Sequence, residues 1–301
     1  MDFNLLIGCD CEATQHAVRN PGLGERAVRG LMDVTEKEGL KLTLFVIPTD
    51  LEASPALYRQ AVEAGHEVGL HLHPADLGYE EFLGVYGPDD QRKILSQAAD
   101  RFSQVMGYRP KGVCIGYASA NDYTYPVLTE LGFRHGMLSI PTRILPECAS
   151  VWAGASLNVH YTNPYNRVLP GWLDLVDIPC TLDPDSRMWG GKHPQDLRVE
   201  LVDAKNHWYT INKAVERQIR EQTVMPCISI FTHNIFEYST PGDFRRQTLE
   251  QMIRSAKEIV TRKGGHIIGV TQEQLAEEFR KQNPLDKARN VQLKLDTRGR
   301  G

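Results

Sequence analysis

Short apolar runs alternate with amphipathic segments along most of the chain. Several of the runs are unbroken, which is typical of parallel strands that are covered on both faces. They predict strands at Asn4–Cys9, Lys41–Ile47, His66–His71, Gly112–Gly116, Arg134–Met137, Leu173–Ile178, Cys227–Thr232 and His266–Thr271. The segments between them predict helices at Gly24–Glu38, Pro55–Ala64, Asp89–Met106, Asp122–Leu131, Asn206–Glu221, Asp243–Arg262 and Gln272–Lys281.

Regular alternation of strands and helices indicates a parallel sheet with an α/β architecture. About eight such strands at this chain length favour a distorted (β/α) barrel of seven or eight mostly parallel strands, with a doubly wound open sheet as the alternative. We expect residues 1–282 to form a single barrel domain. Residues 139–193 interrupt the alternation, predict long loops with one strand, and are interpreted as a substrate-recognition rim. Residues 283–301 predict a polar tail.

Composition changes this picture little, because 41% hydrophobic and 24% charged residues are ordinary for a globular protein. A net charge of −4 without a basic run argues against nucleic acid as a partner. No apolar run reaches the ~18–20 residues that cross a bilayer, and no leader-like segment precedes the first strand. We therefore expect a cytoplasmic protein with no membrane partner and a small-molecule or glycan substrate, and leave a homo-oligomer open.

Two pairs of ionisable side chains close two of the predicted strands. Asp10 and Glu12 follow the first strand, and His71 and His73 follow the third. Because strand side chains alternate between faces, the members of each pair point the same way, ~6–7 Å apart. Catalytic groups of such barrels lie at the carboxyl ends of the strands, so the four side chains can share one pocket. Each pair alone also has a structural explanation, as a helix cap, an ion pair or a hydrogen-bonded histidine.

Two histidines with one carboxylate leave coordination positions open, as in catalytic zinc sites. We therefore predict that Glu12, His71 and His73 bind one divalent metal, with zinc first and cobalt, nickel, iron or manganese as alternatives. A bound water would be acidified there and deprotonated by a neighbouring carboxylate. His233, at the end of the seventh strand, is placed to protonate a leaving nitrogen or oxygen.

Four segments make the chain similar to the polysaccharide deacetylase superfamily of carbohydrate esterases, over roughly residues 4–272. They are Ile7–Glu12 (IGCDCE), Gly65–His71 (GHEVGLH), Gly116–Asp122 (GYASAND, followed by LTELGF at 128–133) and Ile230–His233 (IFTH). The resemblance implies a distorted barrel of seven or eight strands and a metal-dependent deacetylase activity.

By position, the resemblance also implies roles for single residues. Asp10 is similar to the catalytic base, Glu12 to the metal carboxylate and His71 to the first metal histidine of the family. The backbone N–H of Tyr117 is similar to the donor that stabilises the oxyanion, and His233 is similar to the general acid.

Three residues are predicted to contact the substrate. Trp172 leads into a strand near the aromatic motif of the family, and an exposed tryptophan can stack on a sugar ring. Asn121 and Asp122 close the third motif.

The chain departs from the family pattern at three positions. The second metal histidine of the family lies four residues after the first, where this chain has Ala75, so His73 is the substitute and Asp76 the weaker alternative. Cys114 takes the place of an arginine that orients the catalytic aspartate, and a thiol cannot hold a carboxylate as a guanidinium does. Glu12 is one methylene longer than the usual aspartate.

These residues predict a metal-dependent hydrolase that removes N- or O-acetyl groups from a carbohydrate. One alternative is hydrolysis of another C–N bond, in a cyclic imide or ureide, at the same site. A catalytically weak carbohydrate-binding barrel is the alternative from a different class, and Ala75 and Cys114 favour it. The remaining histidines are expected at the surface or as caps: His16, His135, His160, His193, His207 and His266.

Overall fold

The computed structural model describes residues 1–15 and 17–285. The strands are β1 Asp2–Cys11, β2 Leu42–Val46, β3 Glu67–Leu72, β4 Val113–Ile115, β5 His135–Gly136, β6 Ile144–Leu145, β7 Ser150–Val151, β8 His160–Tyr161, β9 Val176–Asp177, β10 Leu182–Met188, β11 His193–Asp196, β12 Cys227–His233 and β13 His266–Gly269. The α-helices are α1 Pro21–Lys37, α2 Pro48–Ala53, α3 Pro55–Glu63, α4 Pro88–Met106, α5 Thr124–Glu130, α6 Ala204–Arg220, α7 Phe244–Arg262 and α8 Gln272–Gln282. Every strand and helix predicted from the sequence is found, with ends shifted by a few residues.

The centre of the fold is a parallel sheet in the order β12-β1-β2-β3-β4, with β13 paired to the first half of β1. All residues of β2 and β3 are buried, because helices cover the outer face of the sheet and side chains fill its inner face. This double burial explains the unbroken apolar runs of the sequence. The strands run in the same direction, so their carboxyl ends lie along one edge.

Beyond β4 the ring of strands continues in short, interrupted pieces. A parallel bridge joins Gly112 to His135 and so connects the β4 side of the sheet to β5. β5 pairs in parallel with β9. After β9 the backbone N–H of Thr181 donates to the carbonyl of Ser229 in β12, at 3.4 Å. The predicted α/β fold class is confirmed, as a distorted barrel-like arrangement of mostly parallel strands.

Residues 139–193 contain more regular structure than the single strand that was predicted. They hold β6 to β10 and the first residue of β11, with β6–β7 and β10–β11 paired as antiparallel hairpins. The expectation was wrong because strands of two residues leave no periodicity, and the hairpin sequence of β10 is mostly polar. Helix α2 was missed for the same reason, since it has six residues.

The single-domain assignment for residues 1–282 stays a prediction. Of the predicted tail at 283–301, residues 286–301 lie outside the described residues. Among the described helices, none combines the length and the apolar composition that a bilayer-crossing helix requires.

Helix α1 packs closely against the loop that follows β12. Gly30 lies in the middle of the helix, and a Cβ at this position would overlap backbone atoms of Tyr238 and Ser239. The hydroxyl groups of Tyr238 and Thr232, the latter in β12, are hydrogen-bonded. The small size of Gly30 therefore lets α1 approach the segment that follows the carboxyl end of β12.

We predict that Gly30→Ala destabilises the protein by about 1–3 kcal/mol, the usual cost of overpacking, although alanine is the better helix former by ~1 kcal/mol. The matched control is Gly22→Ala in the same helix, where a Cβ would meet no atom closer than 3.7 Å. Urea unfolding measures both variants, and equal stability of the two would contradict the proposed packing.

Candidate active site

One cavity of about 290 Å³ opens at the carboxyl ends of β1, β3 and β12. All catalytic and metal-binding residues predicted from the sequence line it: Asp10, Glu12, His71, His73, Tyr117 and His233. The structure therefore brings together side chains from four separate segments of the chain. Their chemical roles remain to be argued from geometry.

Strand register explains why Glu12 and His71 meet. Cys11 pairs with Val46 of β2, and Val46 pairs with Leu70 of β3. One residue further along, Glu12 and His71 stand at the same level of the sheet. Alternation of side chains along a strand then places His73 on the same face as His71.

Three donor atoms converge at this level. Glu12 Oε2 lies 3.3 Å from His71 Nε2 and 2.9 Å from His73 Nε2. The two Nε2 atoms are 3.1 Å apart. Ligands of one tetrahedral zinc ion, with bonds of about 2.0–2.1 Å, are separated by about 3.3 Å. The donor set therefore fits a single small divalent cation.

The other nitrogen of each ring is fixed by an acceptor. His71 Nδ1 donates to the carbonyl of Cys114 at 3.1 Å, and His73 Nδ1 donates to the carboxylate of Glu81. Because each Nδ1 carries the proton, Nε2 is the nitrogen that can hold a metal, which is how such outer partners set the tautomer. Glu81 was not found from the sequence, because it lies in a loop without periodicity.

The charges of the ligand groups are coupled. Burial by itself raises the pKa of Glu12, but the hydrogen bonds from His71 and His73 outweigh it and hold the pKa well below its usual range. Burial lowers the pKa of His73, whereas Glu12 and Glu81 raise it to about 10. A metal must therefore displace a proton from His73, so its affinity should fall in acid.

A second group of possible ligands, Asp10, His71 and Cys114, also lies close together. It suits a cation less well, because a cysteine binds metals as the thiolate. Burial and the neighbouring Asp10 carboxylate raise the pKa of the Cys114 thiol well above its ordinary value. We therefore assign the metal to the group that contains Glu12. Asp76, the weaker alternative to His73, belongs to neither group.

The loop after β1 is held by two buried polar side chains. Asn234 Oδ1 accepts a hydrogen bond from the backbone N–H of Glu12 at 2.7 Å. Asp50 accepts from the backbone N–H groups of Ala13 and Thr14 at 3.0 and 2.7 Å, and Asn234 Nδ2 donates to Asp50 at 2.9 Å. This network fixes the position of Glu12 without occupying its carboxylate.

Asp10 lies beside the ligand group with few partners of its own. Its Oδ2 accepts from Cys114 Sγ at 3.7 Å and lies 4.0 Å from His233 Nε2. Its Oδ1 is buried and has no hydrogen-bond partner among the described residues. A buried carboxylate oxygen without a donor is an exception in proteins.

His233 has its own carboxylate. Its Nδ1 donates to Glu200, which also accepts a hydrogen bond from Thr232 Oγ1 at 3.0 Å. Burial lowers the pKa of His233, but Glu200, with smaller contributions from Glu12 and Asp10, raises it to about 9. His233 is therefore protonated at neutral pH. Sequence reasoning missed Glu200 because it lies between β11 and α6, in a segment without a regular pattern.

Tyr117 forms a turn under strain at the edge of the cavity. Its φ is 60° and that of Ala118 is 50°, a left-handed conformation that is unfavourable for residues other than glycine. The ring of His73 packs against Gly116, where a Cβ would overlap it, and contacts the ring of Tyr117 edge-on at 5.6 Å between centroids. The turn therefore positions the second histidine as well as the backbone at Tyr117.

The three predicted substrate contacts lie elsewhere. Trp172 lines a separate surface groove and packs against Tyr165, with 5.9 Å between ring centroids. The Asn121 side chain donates to backbone carbonyls in the 84–86 loop, and Asp122 pairs with Arg167 at 3.1 Å. None of the three lines the cavity that holds Glu12. The predicted rim 139–193 does reach it, through Trp189 among others.

The expectation for the remaining histidines was wrong at four positions. The residues that are buried rather than at the surface are His135, His160, His193 and His207. Each ring has a polar partner that sequence does not reveal, such as Glu67 for His135 at 2.6 Å. His266 is exposed as expected, and His16 lies outside the described residues.

The proteins to which this chain is similar have the fold described above. The family model described as polysaccharide deacetylase matches residues 21–136, a range that includes His71 and His73 but not Asp10, Glu12 or His233. No curated protein matches the sequence.

Three solved structures show how far the similarity extends. A probable polysaccharide deacetylase from Pseudomonas aeruginosa PAO1 is 16% identical, with a TM-score of 0.64 over 94% of this chain and 93% of that chain. The PuuE allantoinase is also 16% identical, with a TM-score of 0.64 over 94% and 92%. A CE4 family pseudoenzyme from Bacillus anthracis is 12% identical, with a TM-score of 0.50 over 92% and 66%. At these identities the structures establish a shared fold. The resemblance seen in the sequence is thus confirmed by the family-model match over residues 21–136 and by the fold shared with a probable polysaccharide deacetylase at 16% identity.

Proposed function

We propose that this protein is a metal-dependent hydrolase that removes N- or O-acetyl groups from a carbohydrate. The observation that carries the proposal is the convergence of Glu12, His71 and His73 beside Asp10 and His233 in one cavity. A divalent cation bound there would polarise the acyl carbonyl and acidify a water. The family match over residues 21–136 supports this reaction type.

The protein groups divide the proton transfers between them. Asp10, which lines the cavity beside the ligand group, accepts the proton of the attacking water as a general base. The backbone N–H of Tyr117 donates to the oxygen that becomes negative, an interaction that can be worth about 3–4 kcal/mol. His233, held protonated by Glu200, gives its Nε2 proton to the leaving nitrogen or oxygen.

Hydrolysis of a cyclic imide or ureide is the second candidate. The fold shared with the PuuE allantoinase favours it, because the same base, metal and acid can open a ring amide. A screen of acetylated sugars against cyclic ureides separates the two reactions. A non-catalytic sugar-binding barrel is supported by Ala75 and Cys114 and by the fold shared with the pseudoenzyme. That alternative predicts sugar binding without metal-dependent turnover.

We predict that His71→Ala loses the metal and the turnover together, since it removes one of three ligands. Elemental analysis of protein loaded with zinc and then dialysed measures the first effect, and a deacetylation assay measures the second. The matched control is His266→Ala, which removes an exposed histidine on β13 and should leave both unchanged. Full metal occupancy in His71→Ala would refute the ligand assignment.

We predict that Gly116→Ala weakens metal binding although it changes no ligand. The added methyl group would displace the ring of His73, and misplaced ligand support typically costs about 10–100-fold in metal affinity. Zinc titration in competition with a chelator measures this. Gly87→Ala is the control, since a Cβ there meets nothing within 4 Å. Unchanged affinity in Gly116→Ala would show that His73 does not need the space.

We predict that Glu200→Gln shifts the alkaline limb of the pH–rate profile to lower pH. Glu200 raises the pKa of His233, so its loss lowers that pKa and the proton donor disappears at lower pH. The profile of kcat/KM against pH tests this, with Glu25→Gln on the surface of α1 as the control. An unshifted limb would remove His233 from the role of general acid.

A further inference from the structure

Arg143 is a buried cation on the wall of the active-site cavity. It lines the cavity and is 4% exposed. Its Nη1 donates to the carbonyl of Tyr117 at 2.8 Å, and its Nε donates to His193 Nδ1 at 3.0 Å. Both acceptors are neutral, and Nη2 has no hydrogen-bond partner among the described residues. No carboxylate of the described residues lies within 4.0 Å of this guanidinium, so it has no counter-ion there.

The residues behind Arg143 do not supply the missing negative charge. His193 Nε2 contacts Asp196 at 3.1 Å, and the same carboxylate oxygen lies 3.2 Å from Arg198 Nη2. Burial lowers the pKa of His193, which is therefore neutral and can accept from Arg143. One carboxylate thus stands against two guanidinium groups, and the charges of the cluster Arg143–His193–Asp196–Arg198, in which Arg198 is partly exposed, sum to +1.

A buried charge without a partner is unfavourable by several kcal/mol. Burial, together with the nearby Arg198, lowers the pKa of Arg143 to about 10, so the group stays charged at neutral pH. The cavity wall around it is largely apolar, with Met137, Ile140 and Leu145. No carboxylate of the described residues contacts this guanidinium, and its free Nη2 lies in a residue that lines the cavity, which points to an anion brought by a ligand.

We propose that Arg143 binds a carboxylate of the substrate, and that the substrate is an acidic acylated carbohydrate such as an acylated uronic acid. One carboxylate neutralises the net +1 charge of the cluster and can accept a charge-assisted hydrogen bond from Nη2, the nitrogen of Arg143 that has no partner among the described residues. A cavity of about 290 Å³ lies at the small end of ligand pockets and suits one sugar or amino-acid unit. The inference rests on the proposed function only for the position of the bond that is cut.

The test compares two probes that differ in charge alone: N-acetylglycine, which has a carboxylate, and N-acetylglycinamide, which has none. Binding is measured by calorimetry on the full chain, in zinc-loaded and in metal-free protein. The metal-free measurement removes the competing explanation that the carboxylate coordinates zinc. Because no turnover is needed, failure of the hydrolase assay does not affect the result.

We expect the wild type to bind the acid roughly tenfold or more tightly than the amide, as for a hydrogen bond to a charged group. Arg143→Met should abolish this preference, and Arg143→Lys should retain part of it, because the charge is kept and the fork is lost. Arg254→Met, on the exposed face of α7, is the matched control and should keep the full preference.

Three results would overturn the proposal. The first is equal binding of acid and amide by the wild type, which needs no variant and therefore decides the matter even if Arg143→Met fails to fold. The second is failure of the acid to bind the wild type at millimolar concentration. The third is a preference for the acid that persists in a folded Arg143→Met protein.

Discussion

The parallel register of β1, β2 and β3 is the constraint from which the site follows. It sets Glu12 and His71 at one level of the sheet, two strands apart, and the alternation of side chains adds His73 to the same face. The same register fixes the rest of the cavity. Asp10 shares the face of Glu12, and His233 is the residue that pairs with Asp10 across β1 and β12. A register shift of one residue between β1 and β2, between β2 and β3 or between β1 and β12 would turn these groups away from one another.

Each histidine that faces the cavity has an acceptor behind it, and the group that its Nε2 faces separates the proposed roles. His71 has the carbonyl of Cys114 behind Nδ1, and its Nε2 faces the Glu12 carboxylate at 3.3 Å. His233 has the carboxylate of Glu200, which keeps it protonated, and it faces Asp10 rather than the ligand group. His73 also has a carboxylate, Glu81, behind its ring, so the proposed ligands at the end of β3 and the proposed proton donor on β12 differ in what their Nε2 atoms face: Glu12 for His73 and Asp10 for His233.

The sequence was sufficient to predict the features of the structure that depend on the periodicity of apolar and polar residues. Unbroken apolar runs identified the strands, and paired ionisable residues at their ends predicted that Glu12, His71 and His73 come together. The sequence was insufficient to predict contacts that depend on the path of the loops. Glu81 and Glu200 reach the histidines from segments with no repeating pattern, so their proximity is a property of the folded chain alone. The placement of Trp172 in a separate groove has the same cause, because a position next to a strand does not determine which cavity a side chain enters.

The replacement of an arginine by Cys114 has a different meaning in the structure from the one that sequence suggested. A thiol at 3.7 Å is a weak partner for Asp10, and the second carboxylate oxygen has none among the described residues. Without the guanidinium, one carboxylate oxygen of Asp10 therefore has no hydrogen-bond donor among the described residues. The cavity nevertheless contains guanidinium groups, in Arg143 and Arg198, from the segments that follow β5 and β11. The guanidinium groups of Arg143 and Arg198 thus lie on the cavity wall rather than against Asp10, and the cation beside Asp10 is the protonated His233, whose Nε2 lies 4.0 Å from Asp10 Oδ2.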